Sequence, residues 1–172
     1  SIQAPGYQNR IDAEFRDARF EGTVQLLRPR GVIKSVRFVG MPGQAWRFFP
    51  KPGVAPADFS GRWALTFRDD EGGERAAIAE LHQDGHEIWG TILRASGDDR
   101  YIAGEVRGDT LFLSRFDGGS AYLYLGRLGM DGTLSGDFHT GGGYHETWSG
   151  RRNAEARLED PAQLTELKPG MD

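Results

Sequence analysis

The sequence contains no cysteine, which excludes disulfide bonds, thiol catalysis and thiolate metal sites from this chain. No apolar run approaches the roughly 18 residues that a membrane-spanning helix needs, so we expect no membrane span. The first ten residues, SIQAPGYQNR, lack the basic and apolar regions of a signal peptide. The compartment stays open, because cysteine-free proteins occur in oxidising and reducing environments alike.

A strong charge of either sign is also lacking. The chain has 21 Lys and Arg against 25 Asp and Glu, which gives a formal net charge of −4 at pH 7. Nucleic-acid-binding domains usually carry a basic stripe, and this sequence has none. We therefore expect no nucleic-acid partner.

Three common catalytic or nucleotide-binding motifs are absent. There is no Gly-x-Ser-x-Gly nucleophile elbow, no phosphate-binding glycine loop and no GxGxxG run. The glycines Gly141–Gly143 lie between two predicted strands rather than before a helix, so they do not form such a loop. We predict no catalytic residue and no cofactor.

Glycine and aromatic residues are abundant. Glycine accounts for 25 of 172 residues, about twice its usual share of ~7%. The chain also has four Trp, five Tyr and ten Phe. Glycine at turns and aromatics on strands are typical of an antiparallel β protein.

Asp-Gly and Gly-Asp pairs divide the second half of the chain into hairpins. They occur in HQDGHE, VRGDTL, RFDGGS and GMDGTL, where such pairs favour tight type I′ or II′ turns. The segments between turns are rich in β-formers and short enough for strands. The predicted strands are Gly61–Asp69, Arg75–Gln83, His86–Arg94, Arg100–Gly108, Thr110–Phe116, Ala121–Gly129, Gly132–Thr140 and Tyr144–Arg152.

These strands predict an all-β fold. Period-2 alternation places Trp63, Leu65 and Phe67 on one face of the first strand, with polar residues on the other. A long antiparallel meander removes its exposed edges by closing into a β-barrel or by splitting into a barrel-like sandwich. Both alternatives fit the pattern.

A proline-rich segment, Pro50–Ser60, divides the chain. We predict N-terminal strands in residues 1–50, the main antiparallel β domain in residues 59–153, and a short helical or irregular tail in residues 154–172. The N-terminal strands are interpreted as a part, complete or truncated, of the same β unit. They correspond to RIDAEFRDA, FEGTVQLLR, IKSVRFVG and a fourth candidate, AWRFF; in the tail, Asp160-Pro161 would start a helix.

Histidines flank two of the turns. His82 and His86 lie around one turn, and His139 and His145 around the Thr140–Tyr144 loop, where cross-strand side chains lie about 5 Å apart. Zinc sites need three or four protein ligands, and each hairpin offers two histidines and a glutamate. We favour solvated turn-end histidines and predict no metal, with His139 and His145 as the weak candidates.

Carboxylates are a second group of candidates. A hydrolase acting on glycosides needs two carboxyl groups about 5–9 Å apart, and Glu146, Asp137 and Asp117 are the candidates. Acidic side chains are also common at β-turns, where they form local hydrogen bonds. We favour the structural role for all three.

The last predicted hairpin, Asp137–Arg152, places Tyr144, Glu146 and Trp148 on one face. If that face is interior, Glu146 needs a cationic partner near a barrel mouth, and Arg100 is preferred to Arg62 or Arg151. An exposed Glu146 is the alternative. Gly141–Gly143 should supply positive-φ positions in the loop.

Aromatic side chains recur on separate strands, where they either fill the core or line a pocket at a barrel mouth. Together with nearby polar residues they define a candidate ligand or partner surface. Its members are Trp63, Trp89, Arg100, Tyr101, Asp117, Tyr144, Glu146 and Trp148.

Several segments together suggest a family. FSGRWALTFRDDEG, GTILRASGDDRYIAG, LSRFDGGSAYLYL, DGTLSGDFHTGG and ETWSGRR resemble the all-β domain before the thioredoxin-like module of exported TlpA-like bacterial proteins, the redoxin or thiol–disulfide reductase class. The likeness runs from about Phe59 to Lys168. The chain departs from the family pattern at Ser120, where His is usual, and at His139, where Trp is usual.

The resemblance implies a non-catalytic accessory domain that binds or positions a partner. It implies a periplasmic or cell-envelope location and a thioredoxin-like module as the partner, which would carry the redox cysteines. The alternative is a stand-alone lipocalin- or avidin-like barrel that binds a small ligand. The Gly-Arg-Trp start at Gly61–Trp63 and the aromatic-rich strands favour this alternative.

Overall fold

The computed structural model describes residues 1–4, 9–27, 29–31, 33–117 and 120–159. Four N-terminal strands, with a short 3₁₀ helix at Pro29–Gly31, form an antiparallel sheet in the order β1-β2-β3-β4. They are β1 (Ile2–Ala4), β2 (Asn9–Arg16), β3 (Arg19–Leu27) and β4 (Ile33–Gly40). In the described ranges no strand pairing joins this sheet to the rest of the fold.

The remaining strands form a closed antiparallel barrel of eight strands. Each strand pairs with the next along the chain, and the last strand closes the barrel by pairing with the first, Gly150 opposite Leu65. The strands are β5 (Gly61–Asp69), β6 (Glu74–Asp84), β7 (Glu87–Arg94), β8 (Gly97–Arg107), β9 (Thr110–Phe116), β10 (Ala121–Leu128), β11 (Leu134–Thr140) and β12 (His145–Arg152). The all-β fold is confirmed, and closure selects the barrel over the sandwich.

The predicted turns define most of the hairpins. Gly85, between β6 and β7, has φ 57°, a conformation that glycine adopts without steric cost. In the β11–β12 loop only Gly143 has a positive φ, of 79°, so the expectation for Gly141 and Gly142 is wrong. In the predicted RFDGGS turn, residues 118 and 119 lie outside the described part of the chain.

One predicted strand is absent. AWRFF (Ala45–Phe49) lies on the outer face of the barrel instead of pairing. The backbone N–H of Phe48 donates to the Glu105 carboxylate at 3.0 Å, and the Phe49 ring packs edge-on against Phe112 at 5.0 Å. The Glu105 carboxylate, rather than a neighbouring strand, therefore accepts the hydrogen bond from this backbone, and the aromatic ring is packed on the barrel surface. The three-residue β1 was not predicted.

Alternation along each strand fills the barrel. Residues of one parity point inward and are nearly all apolar, as the pattern of β5 predicts. The aromatic centre stacks Trp148 on Phe67, with ring centroids 6.2 Å apart, and Tyr124 on Phe138 at 4.5 Å. The buried cluster also contains Leu65, Ala77, Ala79, Leu81, Ile88, Ile92, Ile102, Val106, Leu111, Leu113 and Leu134.

The segment before β5 closes one end of the barrel. Phe59 is fully buried, and its carbonyl accepts a hydrogen bond from Trp63 Nε1 at 2.9 Å. Gln83 fixes the segment from the other side, since its side chain accepts from the Phe59 N–H at 2.8 Å and donates to the Ala57 carbonyl at 3.0 Å. We call this the closed end.

Residues 153–159 follow β12 without regular structure, which fits the irregular form of the predicted tail. The Ala156 carbonyl accepts a hydrogen bond from Arg62 Nε at 3.0 Å, so this part lies against β5. The helix expected at Asp160-Pro161 lies outside the described residues. The described ranges contain no helix that is long and apolar enough to cross a bilayer.

Candidate functional site

The end of the barrel opposite the closed end holds a cavity of about 830 Å³, which we call the mouth. Its walls combine aromatic rings, small residues and paired charges. It is lined by Arg75, Ala76, Arg94, Ala95, Ser96, Asp99, Tyr122, Phe138, Thr140, Tyr144, Glu146, Arg157, Leu158 and Glu159.

The strands place these side chains by the same alternation that fills the core. Arg94 is the last residue of β7 and follows Ile88 and Ile92 on the inward parity. Glu146 lies near the start of β12, two residues before the buried Trp148. At the ends of strands the inward parity therefore carries charged groups rather than apolar ones.

Glu146 is the most buried charged residue described, with 1% of its surface exposed. One carboxylate oxygen accepts a hydrogen bond from Arg75 Nη2, and the other lies 3.7 Å from Arg94 Nη1. Burying a carboxylate is tolerated only when it is paired and hydrogen-bonded, and two guanidinium groups meet that need here.

Arg94 connects Glu146 to a second buried carboxylate. Its Nε lies 3.3 Å from Asp99 Oδ2, which also accepts a hydrogen bond from the Tyr124 hydroxyl. The Arg94 guanidinium carbon lies 4.0 Å from the centre of the Phe67 ring, in cation–π contact. The network therefore forms the polar floor of the mouth above the aromatic centre.

Burial and neighbouring charges shift the pKa values of the floor residues. Burial lowers the pKa of Arg94, but Tyr124, Asp99 and Glu146 outweigh it, so the pKa lies above its ordinary value. The hydrogen bond to Glu146 is the main cause that raises the pKa of Arg75. Burial, with the charge of Asp99 second, raises the pKa of Tyr124 well above its ordinary value.

The rim of the mouth adds hydroxyl groups and rings. Arg75 donates to the Tyr144 hydroxyl and lies 3.3 Å from Asp69 Oδ2. The Tyr122 and Phe138 rings meet edge-on, with centroids 5.3 Å apart. The mouth thus presents flat apolar walls and hydroxyl groups above a floor whose charges are already paired.

The predicted buried Glu146–Arg pair is confirmed, but the preferred partner is wrong. Arg100 is exposed and pairs with Asp98 at 2.7 Å. The other two candidates are occupied elsewhere, Arg62 by Glu80 and Arg151 by Asp131.

The true partners carried a signal in the sequence. Counting back in steps of two from Ala79 and Ala77 places Arg75 on the inward parity of β6. Counting forward by two from Ile92 places Arg94 on the inward parity of β7. Arg100 is the first residue of the predicted strand, where the sequence pattern does not determine which side chains point inward. The strand begins earlier, at Gly97, and Asp99 rather than Arg100 points inward.

Of the eight predicted surface residues, Tyr144 and Glu146 line the mouth. Trp63 and Trp148 are core residues, 1% and 5% exposed, and in the described part of the chain Trp148 Nε1 has no hydrogen-bond partner. Trp89 lies on the outer surface, stacked on His82 at 6.0 Å.

The other three predicted residues lie together elsewhere. Arg100, Tyr101 and Asp117 line a surface depression of about 630 Å³ with Arg47 and Arg115 among its other walls. The ligand or partner surface expected from sequence is therefore spread over the core, the mouth and the outer wall.

The carboxylates considered for hydrolysis are not brought together. Glu146 lies inside the barrel, whereas Asp137 lies on the outer wall and contacts His145. Asp117 follows β9 and pairs with Arg115. His139 and His145 face each other directly across β11 and β12, with ring centroids 4.9 Å apart.

No family model and no curated protein matches the chain. Among solved structures, the chain is similar to a de novo designed fluorescence-activating β-barrel, with 20% identity and a TM-score of 0.39 over 55% of this chain and 94% of that one. It is also similar to a protein of unknown function from the DUF3598 family of Nostoc punctiforme, with 12% identity, a TM-score of 0.40 and coverage of 85% and 66%. At these values neither likeness bears on function.

Proposed function

We propose that this chain is a ligand-binding β-barrel, and that the mouth binds a small, uncharged molecule with a flat apolar part and a hydrogen-bonding group. The observation that carries the proposal is the asymmetry of the two ends. Phe59 seals one end, while the other holds a cavity of about 830 Å³, within the usual range for small-molecule sites.

The depth of the site follows from the packing. Eight-stranded barrels are just wide enough to be filled by side chains or to hold one small ligand. Here Trp148, Phe67 and Tyr124 fill the middle of the barrel. A ligand therefore binds above this aromatic layer, against Phe138 and Tyr122, rather than deep inside.

The charge state of the ligand follows from the pairing on the floor. Arg75 and Arg94, the two guanidinium groups of the floor, are both matched by carboxylates, namely Glu146, Asp99 and Asp69. Arg157 lies at the exposed rim of the mouth. A charged ligand that reaches the floor would have to break one of these pairs, which costs free energy. A neutral ligand can share their donors and acceptors without that cost.

The test is a ligand-observed NMR screen with neutral one- and two-ring fragments, 4-methylphenol and indole among them, and with 4-methylbenzoate as the charged comparison. The neutral rings should bind and the carboxylate should not. Ala95→Trp, at an exposed position that lines the mouth, should abolish binding. Ala154→Trp, exposed in the tail away from the mouth, is the matched control; equal binding by both variants would refute the site.

The resemblance noted in the sequence carries a second proposal about context. It would make this barrel an accessory domain beside a thioredoxin-like module in a periplasmic or cell-envelope protein, with the mouth binding or positioning that module's substrate. The observation that favours it is the set of family-like segments at β7–β12. A reading frame that continues past Asp172 into a thioredoxin-like sequence supports this context, and a stop codon there contradicts it.

A further inference from the structure

The outer wall of β11 and β12 carries three metal-ligating side chains on one face. Asp137 and His139 are two residues apart on β11, and His145 is paired directly with His139 from β12. Their ligand atoms all lie within 4.8 Å of one another, and all three residues are half-buried. The strand register therefore brings two imidazoles and a carboxylate together independently of the loop.

A fourth residue orients one of the imidazoles. His145 Nε2 lies 2.9 Å from Asp137 Oδ1, while its Nδ1 lies 3.4 Å from Asp70 Oδ1 in the β5–β6 turn. A metal-bound histidine usually donates its second ring N–H to a carboxylate, which fixes the ring and leaves the other nitrogen for the metal. Asp70 occupies that position for His145.

We propose that Asp137, His139 and His145 form a binding site for a divalent transition-metal ion, Zn²⁺ in the first place, with Asp70 as the positioning residue for His145. Imidazole and carboxylate ligands without thiolate suit Zn²⁺, Ni²⁺ and Cu²⁺ rather than Mg²⁺ or Ca²⁺. Three protein ligands leave at least one position of the ion for water or another ligand.

The geometry needs only side-chain movement to bind the ion. Zinc ligands lie about 2.0–2.2 Å from the metal and therefore about 3.3 Å or slightly more from one another. The more distant ligand atoms must approach to that separation, while Asp137 Oδ1 and His145 Nε2, now 2.9 Å apart, must separate slightly. Paired strands hold the three backbones in place. The site is separate from the mouth, because Glu146, between His145 and Thr147, points to the opposite side of the wall.

The sequence alone does not identify this set of ligands, because Glu146 is the acidic residue next to His145 and offers itself as the third ligand of the hairpin. Parity places Glu146 inside the barrel, and Asp137 takes the third position on the outer wall. A count in steps of two from His139 to Asp137 was the available signal.

Isothermal titration of the chelator-treated full chain with ZnCl₂ tests the proposal. We expect one ion per chain, with affinity lowered at least about 100-fold in His139→Ala and in His145→Ala, and about 10-fold or more in Asp70→Asn. His82→Ala, in the other histidine-flanked hairpin, is the matched control and should bind like the wild type. Far-UV circular dichroism establishes that each variant is folded. If His139→Ala is not folded, His139→Gln takes its place.

Co²⁺ provides a second readout of the ligands. Bound Co²⁺ should give visible d–d absorption bands of a low-coordinate nitrogen–oxygen site, and these should vanish in His145→Ala. Zinc binding that is unchanged in the histidine variants would overturn the proposal, as would the absence of one-to-one binding in the wild type.

Discussion

Glu146 is a buried charge whose position depends on two arginines from other strands. An uncompensated carboxylate inside a protein costs several kcal/mol of folding free energy, and pairing offsets that cost. Arg75 and Arg94 come from β6 and β7, so a single side chain of β12 connects three strands at the mouth. The residue is thus structural for the floor whether or not a ligand is bound.

Removal of the Glu146 carboxylate should destabilise the barrel strongly. We expect Glu146→Ala to lower the free energy of unfolding by roughly 3–5 kcal/mol, because Arg94 stays buried with one partner fewer. Urea denaturation gives this value. Glu74→Ala is the control, since the Arg68–Glu74 pair is exposed and its loss should cost about 0.5 kcal/mol or less. Equal losses would show that the Glu146 pair is not buried.

Tyr124 links stability to alkaline pH. Burial raises its pKa in the folded state above the ordinary value of 10.0, so the unfolded chain releases this proton first. Its contribution to stability is complete below pH 10 and is lost as the pH rises above that value, with a slope of about 1.4 kcal/mol per pH unit.

Tyr124→Phe should remove this slope. Denaturant melts between pH 9 and pH 11, a range chosen around the ordinary tyrosine pKa of about 10, measure it. The variant should lose less stability across this range than the wild type does. Tyr101→Phe, at a side chain 87% exposed, is the comparison and should follow the wild type. Parallel curves for wild type and Tyr124→Phe would contradict the buried position of the hydroxyl.

A glycine in one strand of the barrel leaves room for a large side chain from a nearby strand. The Trp148 ring of β12 lies over Gly126 of β10, where an added Cβ would lie 2.6 Å from the ring. Such an approach forces a shift, because protein interiors are close-packed. The glycine in AYLYLGRL is therefore required by the Trp148 ring, which reaches it over Gly136 of the intervening strand β11.

Gly126→Ala should destabilise the barrel by about 1–3 kcal/mol through overpacking. Thermal unfolding, monitored by the near-ultraviolet circular dichroism of the tryptophans, Trp148 among them, measures the loss of stability. Gly40→Ala is the matched control, because the nearest atom to its added Cβ is 3.7 Å away. A neutral Gly126→Ala would mean that Trp148 does not lie over this glycine.

The elements that the sequence predicts are those that local chemistry determines. Asp-Gly turns and period-2 alternation identified the β5–β12 hairpins and the inward side of β5, because both signals lie within a few residues. Partners across the barrel are different. Arg75 and Glu146 are 71 positions apart, and only the register of three strands brings them together.

AWRFF illustrates the same limit. Its aromatic, β-forming composition indicates a strand, but its contacts with Glu105 and Phe112 are with side chains of distant strands. Tertiary contacts override propensity at such positions. The separate N-terminal sheet likewise depends on which strands pair, which alternation within one strand does not specify.

At the scale of the whole molecule, the barrel is asymmetric along its axis. The closed end is sealed by Phe59 over Trp63, and the mouth carries the paired charges and the cavity. The predicted division into N-terminal strands (1–50) of the same β unit, a main β domain (59–153) and a tail (154–172) stays a prediction, as does the accessory role beside a thioredoxin-like module. Neither affects the central claim, which concerns the mouth alone.

The most direct measurement of that claim follows the arginine side-chain N–H resonances of the ¹⁵N-labelled chain while 4-methylphenol is added. The Nε resonances of Arg75 and Arg94 should shift with a common saturation curve, because both guanidinium groups line the mouth. Arg152, whose guanidinium lies over Trp63 at the closed end, should not shift. Shifts confined to Arg152 or to the outer wall, or no saturable shift at Arg75 and Arg94, would contradict a ligand site at the mouth.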